Sequence, residues 1–160
     1  MSRTTFSGPV RAGTNRYAPY QNVGALVTTQ STAFSFTAAG TTTNTIYIPA
    51  GSQILTMHFD TITGFTGGTG AVTVGNVASG TQYASSTTVT TGGRTTPTFT
   101  AAQLTYMLST PVDVTAQTTT QNSVSNIAVT AVAGTGVTAG KLVVTITYVQ
   151  SDDRNAYNQQ

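Results

Sequence analysis

The chain has 160 residues, of which 38% are hydrophobic and 6% charged, six of them basic and four acidic. That length suits one domain around one apolar core, and the apolar fraction is too high for a wholly disordered chain. A net charge of +2 and a pI near 9.2 rest on so few groups that nucleic acid is not an expected partner. The absence of cysteine excludes disulfides, thiolate catalysis and cysteine-based metal sites. No apolar run approaches the roughly 18 residues of a membrane helix, and no secretory h-region follows Met1, so neither a membrane nor a leader is expected. Threonine fills about a quarter of the positions and glycine 16, a mixture that favours short pleated strands separated by tight turns.

Residues 1–23 have little periodicity. Phe6, Pro9, Val10, Tyr17 and Tyr20 are scattered among polar groups, and Arg3, Arg11 and Arg16 stand there without an acidic side chain. Such a stretch reads either as a disordered leader or as a basic arm whose rings bury apolar area when it is laid onto another protein. The body runs from about residue 24 to 150. Phe34 and Phe36 share one parity, residues 45–48 form a second extended run before a turn at 49–52, and Leu55, Met57 and Phe59 alternate with Thr56, His58 and Asp60. The glycine-dense stretch 64–70 turns the chain into a short strand at 71–74, and residues 86–90 can pair. Gly92-Gly93-Arg94 breaks that run, and Pro97 is suited only to a sheet edge or the start of a strand.

Residues 101–109 are the one stretch whose spacing admits a helix, with Leu104, Met107 and Leu108 on one side, although an extended segment fits the same residues. Val124, Ile127, Val129 and Ala131 predict a strand with an irregular start, a bulge at Ser125-Asn126. Residues 141–149 alternate most clearly. Leu142, Val144, Ile146 and Tyr148 form one face, and the opposite face is apolar enough to predict a central strand or a subunit contact. Residues 151–160 read as a frayed tail. About eight short strands with glycine turns give an all-β antiparallel sandwich or small barrel. Its edges, rich in threonine and valine, are open to association between copies.

The chain is poor in chemistry. His58 is the single histidine, and its parity with Asp60 predicts a surface pair rather than a dyad, since no nucleophile elbow accompanies it. Asp152-Asp153 lacks the further ligands of a calcium loop, and Asp60 with Asp113 is all that a glycosidase pair would have. The glycine clusters lack a Walker lysine or a following long helix. No enzyme and no cofactor are expected. Tyr17, Tyr20, Tyr47, Tyr83 and Tyr148 offer platforms for carbohydrate, with Tyr83 the best exposed candidate and Tyr148 a packing residue, so a fibre or host-glycan module is the rival reading.

Four stretches then matter together: Arg-Thr-Thr-Phe-Ser-Gly-Pro-Val at 3–10, Ile-Tyr-Ile-Pro-Ala-Gly-Ser at 46–52, Gly-Ala-Val-Thr-Val-Gly at 70–75 and Lys-Leu-Val-Val-Thr-Ile-Thr-Tyr-Val at 141–149. They resemble the small decoration, or cement, proteins on the heads of tailed bacteriophages. The resemblance implies a jelly-roll-like sandwich on the outer surface of the virion capsid, often a homotrimer, whose extended N-terminal arm contacts the major capsid protein. It carries the arm onto Arg3 to Val10, extended to Arg11, Arg16, Tyr17 and Tyr20.

Overall fold

A strand whose alternate residues are apolar buries one face only, so a chain of such strands must stack two sheets with their apolar faces together. The computed structural model describes residues 27–49, 51–108 and 124–149. They form β1 (Val27–Phe36), β2 (Gly40–Pro49), β3 (Gln53–Thr66), β4 (Gly70–Gly75), β5 (Ala84–Thr88), β6 (Gly93–Thr95), α1 (Ala101–Leu108), β7 (Val124–Ala133) and β8 (Ala139–Val149). One sheet has the order β1-β8-β3-β6 and the other β2-β7-β4-β5, with antiparallel neighbours throughout. The first strand thus pairs with the last, the second with the seventh, the third with the sixth and the fourth with the fifth. That nesting is a long hairpin rolled into two sheets, the jelly roll. The all-β sandwich expected from the sequence is the fold found.

Between the sheets lie Phe34 and Phe36 of β1, Ile46 and Ile48 of β2, Ile54, Met57, Phe59 and Phe65 of β3, and Leu142, Val144, Ile146 and Tyr148 of β8, all buried. β8 is central between β1 and β3, which accounts for its two semi-apolar faces.

Several local expectations are corrected. No bulge falls at Ser125-Asn126: β7 keeps unbroken register with β2 from Val124 to Ala133, whereas β3 slips against β8 between Ile54 and Thr56 and again between Thr61 and Thr66, and β4 against β5 between Val72 and Val74. The first slip turns Leu55 outward, 46% exposed, and puts Ile54 on the core face in its place. The run through 86–90 does break before Gly93, with β5 ending at Thr88, but Gly93 and Arg94 then belong to β6, which pairs with Phe59 to Thr61 at the sheet edge. β1 and β2 also begin earlier than alternation suggested, because their threonine-rich halves are held by pairing to β8 and β7.

β1 and β2 are the long edges of the two sheets, ten residues each without a charged side chain. Two amides bridge them across the open side. Gln30 Nε2 donates to the Tyr47 carbonyl at 3.1 Å and to the Tyr148 hydroxyl at 2.9 Å, and Asn44 Nδ2 donates to the Ala33 carbonyl at 3.2 Å and to Thr32 Oγ1 at 2.9 Å. Carbonyls of both edges are thereby satisfied within the molecule.

The two ends of the sandwich differ. At one, Val27 pairs with Val149, Val149 with Gln53 and Pro49 with Val124, so β1 and β7 begin and β8 ends at this proximal end. The distal end is made of small-residue turns that interlock. Gly134 N donates to the Thr69 carbonyl at 2.8 Å and Thr138 N to that of Thr66 at 2.9 Å. Gly67 (φ 86°) and Gly136 (φ 88°) face each other so closely that a Cβ on either would collide with the other's carbonyl oxygen.

Candidate interaction surface

The chemistry-bearing side chains of the described body share one surface. His58, Asp60, Arg94 and Lys141 lie on the outer face of the β1-β8-β3-β6 sheet, at register positions whose neighbours are Val143, Thr145 and Thr63. Arg94 donates to Asp60 through Nε at 2.7 Å and through Nη2 at 3.0 Å, a bidentate pair. These bonds hold the Asp60 carboxyl below its ordinary value of 3.8 against the opposing effect of burial, with the charges of Arg94 and His58 adding to the lowering. The surface pair expected between His58 and Asp60 is therefore replaced. Asp60 is taken by Arg94, and the His58 Nδ1 lies 3.3 Å from Thr96 Oγ1. An exposed pair of this kind adds little to stability. Among the described residues no three histidine or carboxylate groups gather as a metal site would require.

The tyrosines divide. Tyr148 packs in the core as expected. Tyr83 does not lie on the surface: it has no exposed area, its backbone N–H donates to the Val74 carbonyl, and it joins the inter-sheet core cluster. Its immediate neighbours are Gln82 and Ala84, and no alternation of large apolar side chains marks it as buried. Of the tyrosines weighed as carbohydrate platforms, only Tyr47 is exposed in the described body, at 57%, so no aromatic platform forms from that set there. The Tyr83 hydroxyl is buried without a hydrogen-bond partner among the described residues. Burial, aided by the neighbouring Tyr106, pushes its pKa up from 10.0 to about 12. The unfolded chain thus loses this proton first, so the contribution to stability is whole below pH 10 and is lost as the pH rises towards about 12. Tyr83→Phe is expected to stay within about 1 kcal/mol of the parent at pH 7 and to flatten the fall in stability over that alkaline window, as followed by urea unfolding.

Helix α1 shows a signal that the alternation patterns miss. Thr100-Ala-Ala-Gln103 is a capping box: the Gln103 N–H donates to Thr100 Oγ1 at 3.3 Å, and the Thr100 N–H to Gln103 Oε1 at 2.9 Å. Gln103 Nε2 also donates to the Thr81 carbonyl and to Ser85 Oγ, both at 2.9 Å, tying the helix to the β4–β5 connection. The buried stripe is therefore Gln103 and Met107. Leu104 and Leu108, expected on the buried side with Met107, are 49% and 62% exposed.

The candidate arm residues Arg3, Phe6, Pro9, Val10, Arg11, Arg16, Tyr17 and Tyr20 lie outside the described residues, as do Asp113 and the 151–160 tail. What the body contributes is the point of attachment, since residue 26 precedes Val27 at the proximal end.

Comparison with solved structures follows from this topology. The fold matches a chain of a phage capsid. A chain in the structure described as the cyanophage Pam1 capsid asymmetric unit superposes with a TM-score of 0.52 at 22% identity, over 91% of this chain and 100% of that one. Identity at this level speaks for the shared fold. No protein-family model and no curated protein sequence matches the chain.

Proposed function

We propose that this protein is a decoration, or cement, protein that binds the outside of a phage head and holds neighbouring major capsid subunits together. The observation that supports the reading is the structural match to a chain of a phage capsid, over 91% of this chain and 100% of that one. The poverty of reactive groups on the body and the basic, aromatic composition of residues 1–23 agree with it.

On this reading the arm fastens and the body covers. Phe6 would fill an apolar depression on the shell, Pro9 would limit the freedom of the arm, and Arg3, Arg11 and Arg16 would meet carboxylates. Val10, Tyr17 and Tyr20 would add apolar area. Copies joined as a homotrimer would bind through several arms at once, so that modest individual contacts give a long residence time.

The test is cosedimentation of the purified protein with cognate heads that lack it. Saturable binding in fixed proportion to the major capsid protein, with a rise in the temperature at which the heads come apart, is the expected result. Absence of saturable binding would end the reading.

A further inference from the structure

A sheet edge is a row of backbone N–H and C=O groups that can pair with a neighbouring chain, and proteins guard such rows by keeping them short, charged or bulged. Two edges of this sandwich are guarded in that way. β6 has three residues, one of them Arg94, and β5 has five and slips against β4 between Val72 and Val74. β1 and β2 are not. Each runs for ten residues without a charged side chain, and each pairs with its inner neighbour in unbroken register. The proline of β2, Pro49, stands at its last position and guards only that end.

Within the described body, the groups that stand against these two edges are the amides of Gln30 and Asn44. Gln30 shares the parity of Phe34 and Phe36, and Asn44 that of Ile46 and Ile48, so both side chains start on the inner faces. Their contacts are reciprocal: β1 reaches an edge carbonyl of β2, that of Tyr47, and β2 reaches an edge carbonyl of β1, that of Ala33. The second hydrogen of each amide is also placed, from Gln30 on the Tyr148 hydroxyl and from Asn44 on Thr32 Oγ1. An added strand would have to lie about 4.8 Å from β1 or β2 in the plane of its sheet, with its own N–H groups on those carbonyls. At Ala33 and Tyr47 that place is taken by an amide nitrogen, 3.2 and 3.1 Å away. We propose that Gln30 and Asn44 form a clasp that closes the β1 and β2 side of the sandwich to strand addition, so that copies of this chain do not join their sheets along it. The sequence leaves these edges open to association, and the clasp closes them without using charge. The inference concerns the body alone and does not depend on the decoration reading.

Three forms of the full chain decide it. They are the parent, the double variant Gln30→Met with Asn44→Leu, which keeps the size of both side chains and removes both donors, and Val72→Ala, which weakens the core on β4, beyond β7 from the clasp. Well below the melting temperature, each is sedimented over a range of concentrations, and its amide hydrogen exchange is followed along β1 and β2. The double variant is expected to form larger species at a concentration at least tenfold below any at which the parent does. Exchange at Ser31 and Thr45 should slow as those species form, because both residues share the parity of the clasped carbonyls and their N–H groups point out of the sheets. Val72→Ala should sediment as the parent does. A folded double variant that sediments like the parent overturns the inference. Association accompanied by faster exchange along both edges, or matched by Val72→Ala, overturns it too, since loss of stability alone would then explain it. Should the double variant fail to fold, Asn44→Leu alone is used, which leaves Gln30 on the Tyr148 hydroxyl, and the same outcomes decide.

Discussion

Deletion of residues 2–20 is expected to leave a body that melts as the full chain does but binds heads roughly a hundredfold more weakly. The first half follows from the core. Its buried cluster in the described body is drawn from β1 to β8, between Phe34 and Tyr148. The second half follows from what the segment holds. Phe6, Tyr17 and Tyr20 are worth about 1.5–3 kcal/mol each when fully buried, and fixing a free segment consumes much of that sum. A net loss near 3 kcal/mol corresponds to that hundredfold change. Titration of heads with the two forms, beside their thermal melts, measures both quantities. Unchanged binding would take the fastening role away from the arm, whereas sugar binding that survived the deletion would favour a glycan-recognising module.

The second large effect lies in the sandwich. Phe59→Ala should lower the unfolding free energy by about 3–5 kcal/mol, a large part of the 5–15 kcal/mol that holds a domain of this size. Phe59 is fully buried at the middle of β3, paired to Val144 of the central strand on one side and to Thr95 of β6 on the other. Leu55→Ala is the informative contrast. Simple alternation places Leu55, Met57 and Phe59 on one face, but the bulge leaves Leu55 in solvent, and its loss should cost less than about 1 kcal/mol. Urea unfolding of both variants separates the cases through the midpoint at a constant slope. A cost for Leu55→Ala equal to that for Phe59→Ala would place the bulge elsewhere.

These two residues show where reading along the chain stops. Period-two alternation is a local property, so it locates strands wherever one face is strongly apolar, as in Phe34 with Phe36 and Leu142 through Tyr148. It cannot register a slip, because a bulge is defined by the partner strand, and the partner of β3 is β8, far along the chain. Tyr83 was misplaced for a related reason. It lies in no alternating apolar run, and the core cluster that it joins is drawn from other elements. On α1 the spacing of Leu104, Met107 and Leu108 is helical, yet the buried stripe is decided by Gln103, whose amide finds its partners at Thr81 and Ser85.

The sequence by itself determined that this protein is an all-β sandwich with little reactive chemistry, since threonine and glycine content, alternation and the near absence of histidine, acid and cysteine need no partner to be read. It also marked residues 1–23 as a basic, aromatic stretch distinct from the body. Only the tertiary structure decided the jelly-roll pairing of strands, the gathering of charge on one sheet face and the bulge that turns Leu55 outward. Each of these depends on residues brought together across the chain, as Gln30 is brought to Tyr148 over 118 positions. Such neighbours are chosen by the packing of two sheets, and no local pattern encodes them.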